Sequence, residues 1–451
     1  MYISSFEEDL LDLREFSERL QRFIETEHEF VEGSLVVGLN AQFGAGKSTF
    51  LRMWRTTIES SNGESDNPFI ISLNAWQSDY NGDPLFAIIS ALVEALQENG
   101  QKADNLVQAA KDFGWFATAI GSQVINRITG IDPIAAGRLA EDKRGPSSEL
   151  SSDCIDAFSA YEGRKNAMRN LKEAISNIVS SAQPRALFLV DELDRCRPDY
   201  AISYLETIKH LFDEKGAVFV LATDRDQLEN SAKTAFGAGL NFDEYYRKFV
   251  HREVELPPIA DSGYQKLAES YVQFYLERDK ARYCFMKIDS GRTNEITKLI
   301  GALRLTPRQI QEMFRILGHV FDTRSEDKAR LRWCLGIGTI AMAAFNIGAP
   351  KIYRALATQQ LEADEANDFL KKNMTRMNPD WWLTLFVTGG GIKPRDGETT
   401  EEMMERCGLV YNSSEGHLQR QLFQWSEGWG RDRSNRFWDI YEKIQQASKW
   451  G

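Results

Sequence analysis

Nine consecutive residues govern the interpretation of this chain: Ala41-Gln42-Phe43-Gly44-Ala45-Gly46-Lys47-Ser48-Thr49. They lie between an apolar run at 34–39, which predicts a strand, and a segment from Lys47 to about Ile58, which predicts a helix. A glycine-bearing loop in that position is where backbone N–H groups cradle phosphates. The stretch therefore predicts a nucleotide-binding α/β domain.

The residue types of this loop fit the phosphates of a nucleoside triphosphate. Gly44 and Gly46 place no Cβ atom in the way of the backbone N–H groups, and a helix that begins near Lys47 directs its positive end at the β-phosphate. Lys47 is expected to bridge the β- and γ-phosphates, and Ser48 to ligate Mg²⁺. The usual pattern opens with glycine, where this chain has Ala41, and a chance glycine-rich turn is the alternative. The predicted nucleotide-binding residues are Gly44, Ala45, Gly46, Lys47, Ser48 and Thr49.

A second apolar run ends in acidic residues: Phe188-Leu189-Val190-Asp191-Glu192-Leu193-Asp194-Arg195. An aspartate at the end of a buried strand suits the coordination shell of Mg²⁺, so Asp191 is a predicted metal and catalytic residue. Glu192 is predicted to polarise the attacking water. A plain strand end is the alternative interpretation. The spacing of 144 residues between Lys47 and Asp191 is long, which implies an insertion between the two motifs.

A third polar position follows the fully apolar run at 217–222. Ligands of parallel α/β sheets bind at the carboxyl ends of the strands. Thr223 and Asp224 come directly after this run, so either is a candidate catalytic residue that contacts the γ-phosphate or the attacking water. The alternative is that one of them caps the following helix.

Short apolar strands alternate with helices up to about residue 260, which indicates a mainly parallel sheet flanked by helices. Helical patterns dominate from there onward. We expect a nucleotide-binding core over residues 1–260, with a weakly patterned insertion at about 104–153 that ends in an exposed loop. A helical, lid-like region is expected over 261–320, and an α-helical, Trp-rich domain over 321–451.

The composition excludes several classes of protein. Hydrophobic residues make up 42% of the chain and charged residues 27%, as in ordinary globular proteins rather than fibrous or disordered ones. The formal net charge of −12 argues against nucleic-acid binding driven by overall charge. Five scattered cysteines without a Cys-x-x-Cys pair favour a reducing compartment and argue against a zinc site. Together with an acidic N-terminal segment, these features predict a cytoplasmic protein.

The longest uncharged stretch, Trp333 to Pro350, predicts a buried core helix rather than a membrane span, because it includes three glycines and Asn346. Six of the ten tryptophans lie beyond residue 380. They predict an aromatic core in a helical domain. Because Arg420 and Arg436 lie near them in the sequence, a surface that stacks on nucleic acid or binds a protein stays open as an alternative.

Together these residues resemble the KAP family of P-loop NTPases, within the additional-strand group that includes the AAA+ ATPases. The resemblance covers about residues 8–320 and is carried by several motifs: Gly44-Ala45-Gly46-Lys47-Ser48, Leu73-Asn74-Ala75-Trp76, Asp191-Glu192-Leu193-Asp194-Arg195-Cys196-Arg197-Pro198, Val220-Leu221-Ala222-Thr223-Asp224-Arg225, Leu256-Pro257-Pro258 and Thr306-Pro307-Arg308-Gln309-Ile310. It implies ATP and Mg²⁺ as ligands, and a link with phage exclusion or with membrane-associated signalling complexes. Many members carry transmembrane helices in the insertion, where this chain has a short polar segment, so the resemblance implies a branch without them.

Four arginines fall in or beside these motifs: Arg195, Arg197, Arg225 and Arg308. A guanidinium can neutralise charge that develops on the transferred phosphoryl group, from the same chain or from a neighbour. Arg308 resembles the sensor arginine of the group and is a predicted catalytic residue, with a surface salt bridge as the alternative. Trp76 is expected in the core, and Asn74 is expected to pack or to position other groups.

The sequence thus predicts an ATP-hydrolysing switch or remodelling ATPase with water as the phosphoryl acceptor. A nucleotide sensor with negligible turnover is one alternative. A P-loop kinase, which would need a second substrate pocket and an arginine-rich lid, is another. We expect ATP-dependent self-association, in which Arg225 or Arg308 completes a neighbour's site, and an unknown protein partner bound by residues 321–451. Nucleic acid is conceivable as a partner, but no motif supports it.

Overall fold

The chain forms two compact units in the computed structural model, Met1–Pro258 and Ile259–Gly451. The first unit ends close to the boundary expected at residue 260. The residues that the structure describes are 3–61, 67–80, 82–119, 157–182, 184–278, 288–321, 332–373, 378–409, 415–430 and 435–448.

A five-stranded parallel sheet forms the centre of the first unit, in the strand order β2-β3-β4-β1-β5. The strands are β1 (Leu35–Asn40), β2 (Phe69–Asn74), β3 (Ala186–Asp191), β4 (Ala217–Thr223) and β5 (Arg252–Glu255). Strands β1, β3 and β4 confirm the apolar runs described above, and β2 confirms the strand that the apolar run at 68–73 predicts. The sequence did not predict β5, because its residues are mostly charged and its side chains are largely exposed at the edge of the sheet.

Nine helices accompany this sheet within the described part of the first unit: α1 (Arg14–Glu27), α2 (Lys47–Ser61), α3 (Ala75–Asp79), α4 (Pro84–Glu98), α5 (Asp104–Ala119), α6 (Ala157–Ser181), α7 (Pro198–Leu211), α8 (Arg225–Phe236) and α9 (Phe242–Tyr246). Short 3₁₀ turns lie at Phe6–Glu8, His28–Phe30 and Leu193–Arg195. The alternation of parallel strands with helices confirms the α/β fold that the sequence predicted.

Helices cover both faces of the sheet because successive strand residues point to opposite sides. In β3, for example, Phe188 belongs to a core cluster with residues of α4, α5, α6 and α7. Its neighbours Leu187 and Leu189 belong to a second cluster with residues of α1 and α2. The central strands β1, β3 and β4 are therefore buried on both faces, which explains their nearly continuous apolar sequences.

The weakly patterned stretch after residue 97 begins with a helix that the sequence did not predict. Leu106 and Phe113 of α5 are buried in the core cluster beside the sheet, so this helix is part of the first unit's packing. The exposed loop expected at 141–152 lies outside the described residues.

The regular secondary structure of the second unit's described residues is helical, apart from an isolated bridge between Leu361 and Ile392. Its helices are α10 (Asp261–Arg278), α11 (Ser290–Ala302), α12 (Pro307–Val320), α13 (Trp333–Gly348), α14 (Pro350–Ala357), α15 (Ala363–Asn373), α16 (Pro379–Thr388), α17 (Thr400–Arg406), α18 (Glu415–Trp429) and α19 (Arg436–Ser448).

The uncharged helix α13 is buried along most of its length, as predicted. Among the described residues, no helix combines the length and the apolar character needed to cross a membrane. The aromatic-core prediction for the tryptophans is also confirmed at Trp382, Trp425 and Trp429, which are all buried. Trp438 is an exception at 43% exposure, and Trp450 lies outside the described residues.

Candidate nucleotide-binding site

Polar residues terminate four neighbouring strands at one edge of the sheet: Asn40, Asn74, Asp191 and Thr223. The strand register places Asn74 beside Asp191, and Asn40 beside Thr223. The carboxyl edge of the sheet is therefore the place where the predicted motifs meet, as the predictions for Asp191 and Thr223 required.

The loop between β1 and α2 has the backbone that the sequence predicted. Gly44 and Gly46 have φ angles of 83° and 97°, which lie in the left-handed region where a Cβ atom is disfavoured. Lys47 is the first residue of α2, so the N-terminal end of that helix follows the loop directly. Its Nζ atom donates a hydrogen bond to the backbone oxygen of Ala41 at 2.5 Å. The alanine that departs from the usual pattern therefore contributes only its carbonyl group to this contact.

Lys47 is buried beside the acidic residues of the site. Its Nζ atom lies 3.9 Å from Oδ2 of Asp194, whose side chain is also buried. Burial lowers the pKa of Lys47, and the carboxylates that oppose this shift belong to Asp194, Asp224 and Asp191, in order of their effect. Asp194 thus belongs to the site although it was not among the predicted site residues. Its position three residues after Asp191, on the turn that follows the strand, is the signal that could have identified it.

Asp191 and Ser48 form the candidate metal site. Burial raises the pKa of Asp191, and the hydroxyl of Ser48, which faces this carboxylate, acts in the opposite direction. Both groups offer hard oxygen atoms of the kind that Mg²⁺ prefers. Asp191, Glu192, Asp194 and Asp224 lie at this edge together with Lys47 and Arg195, so a divalent cation would reduce the repulsion between the carboxylates and an anionic triphosphate. The donor set is therefore compatible with Mg²⁺.

Glu192 follows with a left-handed backbone, φ 61°, and its N–H donates a hydrogen bond to Oδ1 of Asp191 at 2.9 Å. Two donors hold its carboxylate. Asn74 Nδ2 lies 3.0 Å from Oε2, and Arg195 Nη1 lies 2.7 Å from Oε1. Asn74 thus contacts Glu192, as the expectation that it positions another group requires. A non-glycine residue in this backbone region is held there by its surroundings, and such residues concentrate at functional sites.

Trp76 does not lie in the core, so that prediction was wrong. Its side chain is 52% exposed, and its ring lies 5.7 Å from the guanidinium carbon of Arg195. Trp76 comes two residues after the end of β2, in the first turn of the short helix α3 at the carboxyl edge of the sheet. Phe43 of the glycine-bearing loop, 55% exposed, contacts the same guanidinium at 4.9 Å.

Thr223 is buried, whereas Asp224 contacts the phosphate-binding loop. Thr223 is 1% exposed at the end of β4. Asp224 accepts a hydrogen bond from the backbone N–H of Phe43 at 3.1 Å, and its side chain makes no capping bond to α8. The capping alternative therefore does not apply to Asp224, which contacts the phosphate-binding loop instead.

Two of the four motif arginines bind carboxylates away from the loop. Arg197 donates from Nε to Asp79 Oδ1 at 3.0 Å and from Nη2 to the backbone oxygen of Asp79 at 2.8 Å. These bonds connect the end of α3 to the segment that follows the 3₁₀ turn Leu193–Arg195. Arg225 pairs with Asp243 and, at 3.2 Å, with Glu253 of β5. Arg308 lies in the first turn of α12 in the second unit, and its sensor role stays a prediction.

The matches to known proteins include one family domain and two solved structures. Residues 13–323 match the KAP family P-loop domain. No curated protein matches the chain. Two solved structures of the Aeropyrum pernix ORC2 protein, one of its ADPNP–ADP complexes and one of its ADP form, are similar to this chain with 13% identity and a TM-score of 0.36. The first similarity covers 100% of this chain and 97% of that chain, and the second covers 97% and 95%.

The matched family domain spans more than half of the 451 residues and includes the loop, the acidic strand end and the other motifs of the sheet edge. The chain belongs to the KAP family of P-loop NTPases.

Proposed function

We propose that the protein binds MgATP and hydrolyses it to ADP and phosphate, and that this cycle acts as a switch or remodels a partner. One observation carries the proposal. A buried lysine, a strand-end aspartate facing a serine hydroxyl, and a glutamate held by two donors lie together at the edge of one parallel sheet. Nucleotide binding needs the first two groups, and the oriented glutamate is the group that supports hydrolysis, because a carboxylate fixed beside the phosphate site can accept a proton from water.

In this proposal each group has a separate role. The backbone N–H groups of residues 44–49 and the Nζ atom of Lys47 bind the phosphates, and Lys47 gives up its contact with the Ala41 carbonyl to do so. Ser48 and Asp191 would hold Mg²⁺, which supplies neutralisation of the phosphate charge when bound. Glu192 orients the attacking water and accepts its proton. Thr223 and Asp224 complete the edge of the site, and Arg308 is the proposed sensor arginine.

The partners are proposals as well. We infer ATP-dependent self-association, a cytoplasmic location, and a protein partner bound by the second unit. Exposed aromatic side chains on that unit, Phe423 at 64% and Trp438 at 43%, are consistent with protein binding. From the resemblance to the KAP family we also infer a role in phage exclusion. Phage plating on cells that express the parent or Lys47→Ala measures this directly, and equal plating on both would rule it out.

The biochemical test compares Lys47→Ala with Glu192→Gln. Lys47 contacts the nucleotide in the ground state and in the transition state, so Lys47→Ala should lose both ATP binding and phosphate release. Glu192→Gln keeps the size of the side chain and removes its ability to take a proton. We expect ATP affinity to persist while turnover falls about 10²- to 10⁴-fold.

The same assays separate the alternatives. A parent protein that binds ATP but releases no phosphate at any protein concentration is a nucleotide sensor. A parent that releases phosphate only onto an added acceptor molecule is a kinase. Hydrolysis by Glu192→Gln at the parental rate would exclude Glu192 as the base and leave Asp194, the neighbouring buried carboxylate, as the next candidate.

A further inference from the structure

Arg195 forms the closest charged contact that the structure gives for Glu192. Its Nη1 atom lies 2.7 Å from Glu192 Oε1, and the two side chains are 30% and 16% exposed. The backbone N–H of Arg195 also donates to the carbonyl oxygen of Glu192 at 3.2 Å. The arginine is thus anchored to the same residue by its main chain and by its side chain. A partly buried charged pair of this kind keeps its geometry better than an exposed one.

Two exposed aromatic rings hold the guanidinium in place. The ring of Phe43 lies 4.9 Å from it and the ring of Trp76 lies 5.7 Å from it. The rings come from the phosphate-binding loop and from α3, so segments distant in sequence converge on one cation. Cation–π contacts stabilise planar guanidinium groups. Phe43 and Trp76 are exposed and contribute little to the core, so their contact with Arg195 is the role that we assign to them.

Asn74 contacts the second oxygen of the Glu192 carboxylate, at 3.0 Å. A carboxylate with one donor can rotate about its last bond, whereas donors on both oxygens fix its plane. The other two arginines of the first unit's motifs have different partners: Arg197 binds Asp79, and Arg225 binds Asp243 and Glu253. Of these three arginines, Arg195 is therefore the one that forms an ion pair with the proposed base.

We propose that Arg195 is a positioning residue for Glu192, and that Phe43 and Trp76 hold Arg195 in the orientation this requires. The proposal rests on the hydrolysis proposed above. Arg195 acts through Glu192: it keeps the carboxylate directed so that its free lone pairs face the attacking water. Because Phe43 belongs to the phosphate-binding loop, the orientation of the base is coupled to the conformation of that loop.

The first test is kinetic. Arg195→Ala should lower kcat about 10- to 100-fold, because a misdirected base loses most of its effect. KM and ATP affinity should stay within about twofold, since the side chain supports water activation rather than binding. Arg195→Lys keeps the positive charge but lacks the planar guanidinium group with its several N–H donors. Its kcat should therefore lie between those of Arg195→Ala and the parent. An unchanged kcat in Arg195→Ala would overturn the proposal.

A double-mutant cycle separates positioning from general damage. Single-turnover hydrolysis is measured with excess enzyme for Arg195→Ala, Glu192→Gln and the double variant. If Arg195 acts through Glu192, the double variant should hydrolyse ATP at the rate of Glu192→Gln alone. Independent effects that multiply in the double variant would show that Arg195 acts elsewhere and would contradict the proposal.

The aromatic contacts have their own matched pair. Trp76→Leu should lower kcat, Trp76→Phe should largely preserve it, and Tyr80→Leu should leave it unchanged. Tyr80 is the matched control because it follows α3 and is 76% exposed. Equal effects of Trp76→Leu and Tyr80→Leu would overturn the role given to the rings.

A stability measurement keeps this proposal distinct from the proposed function. The same cycle of Arg195 and Glu192 variants, followed by chemical unfolding, should give a nonzero coupling energy whether or not ATP is hydrolysed. Absence of coupling overturns the positioning contact itself. Coupling without any ATP hydrolysis by the parent overturns the proposed function, and with it the catalytic purpose of the contact. Hydrolysis by the parent with unchanged Arg195→Ala kinetics overturns the positioning proposal alone.

Discussion

Asn74 donates a hydrogen bond from Nδ2 to Oε2 of Glu192 at 3.0 Å, although 118 residues separate the two in the sequence. The contact exists because β2 and β3 are neighbours and Asn74 is in register with Asp191, the residue before Glu192. Asn74 also caps α3, because its Oδ1 atom accepts the backbone N–H of Gln77. One side chain therefore links the end of a strand, a helix start and the proposed base.

The two roles of Asn74 can be separated by substitution. Asn74→Ser keeps an N-cap oxygen but does not reach Glu192, so stability should stay near that of the parent while turnover falls about 10-fold or more. Asn74→Ala loses both contacts, and its free energy of unfolding should fall by about 1 kcal/mol. Phosphate release and urea unfolding measure the two effects. Parental turnover in Asn74→Ser would contradict the positioning role.

Removal of Mg²⁺ tests the proposed metal site. Chelation should weaken ATP binding to the parent by about tenfold or more, because the acidic site then meets an uncompensated triphosphate. Asp191→Asn should bind ATP weakly in the presence of Mg²⁺, and chelation should weaken its ATP binding little further. Glu192→Gln is the control and should keep the parental response. Isothermal titration with and without chelator gives these affinities, and a normal Mg²⁺ response in Asp191→Asn would remove that residue from the metal site.

Arg225 should stabilise its own unit. Its ion pairs with Asp243 and Glu253, together with contacts to the rings of Phe242 and Tyr246 at 5.3 and 5.8 Å, occupy the guanidinium. We expect Arg225→Ala to lower the free energy of unfolding by about 1–2 kcal/mol, and Arg225→Lys by less. Urea unfolding measures this.

The control for Arg225 is Arg252→Ala, because the Arg252 side chain is 56% exposed and pairs with Glu27 at 3.0 Å. The substitution also removes a hydrogen bond from Arg252 Nη1 to the carbonyl oxygen of His251 at 3.1 Å. It should cost less than about 1 kcal/mol. ATP-dependent self-association, followed by sedimentation, should survive Arg225→Ala. Loss of assembly with unchanged stability would instead support the expectation from the sequence that Arg225 completes a neighbour's site.

We expect His251 to make the first unit sensitive to acid. Its Nδ1 atom accepts the N–H of Val36 at 3.1 Å, and burial, followed by the charge of Lys209, lowers its pKa from the ordinary value of 6.5. A lowered pKa means that the unfolded chain binds the proton more readily. Stability is therefore full above the unfolded value and decreases as the pH falls below about 6.5 towards the folded value.

We expect the free energy of unfolding to fall between about pH 7.5 and pH 5.5, and to fall less in His251→Asn, whose amide oxygen can accept the same N–H at any pH. Part of the dependence should remain, because burial also lowers the pKa of His28. Urea unfolding at the two pH values measures the difference. An identical decrease in parent and variant would show that His251 does not contribute.

Local patterns were enough to predict four strands, several of the helices around them and the main nucleotide-binding motifs. An apolar run such as 217–222 predicts a buried strand, and Gly44 and Gly46 predict a loop because glycine adopts positive φ angles without a steric penalty. The same rules failed at β5, whose charged residues pair through their backbone at an exposed edge, and at α5, whose mixed sequence becomes buried only against distant helices.

The contacts around Glu192 had to come from tertiary structure. The sequence marked this residue as the proposed base, but its partners come from β2, the acidic turn and, through Arg195, the phosphate-binding loop and α3. Trp76 was assigned to the core by its hydrophobicity, although it lies exposed at the carboxyl edge of the sheet. The residue type determines which interactions a side chain can form. Its actual neighbours depend on which distant chain segments the sheet brings together, and a local sequence pattern does not contain that information.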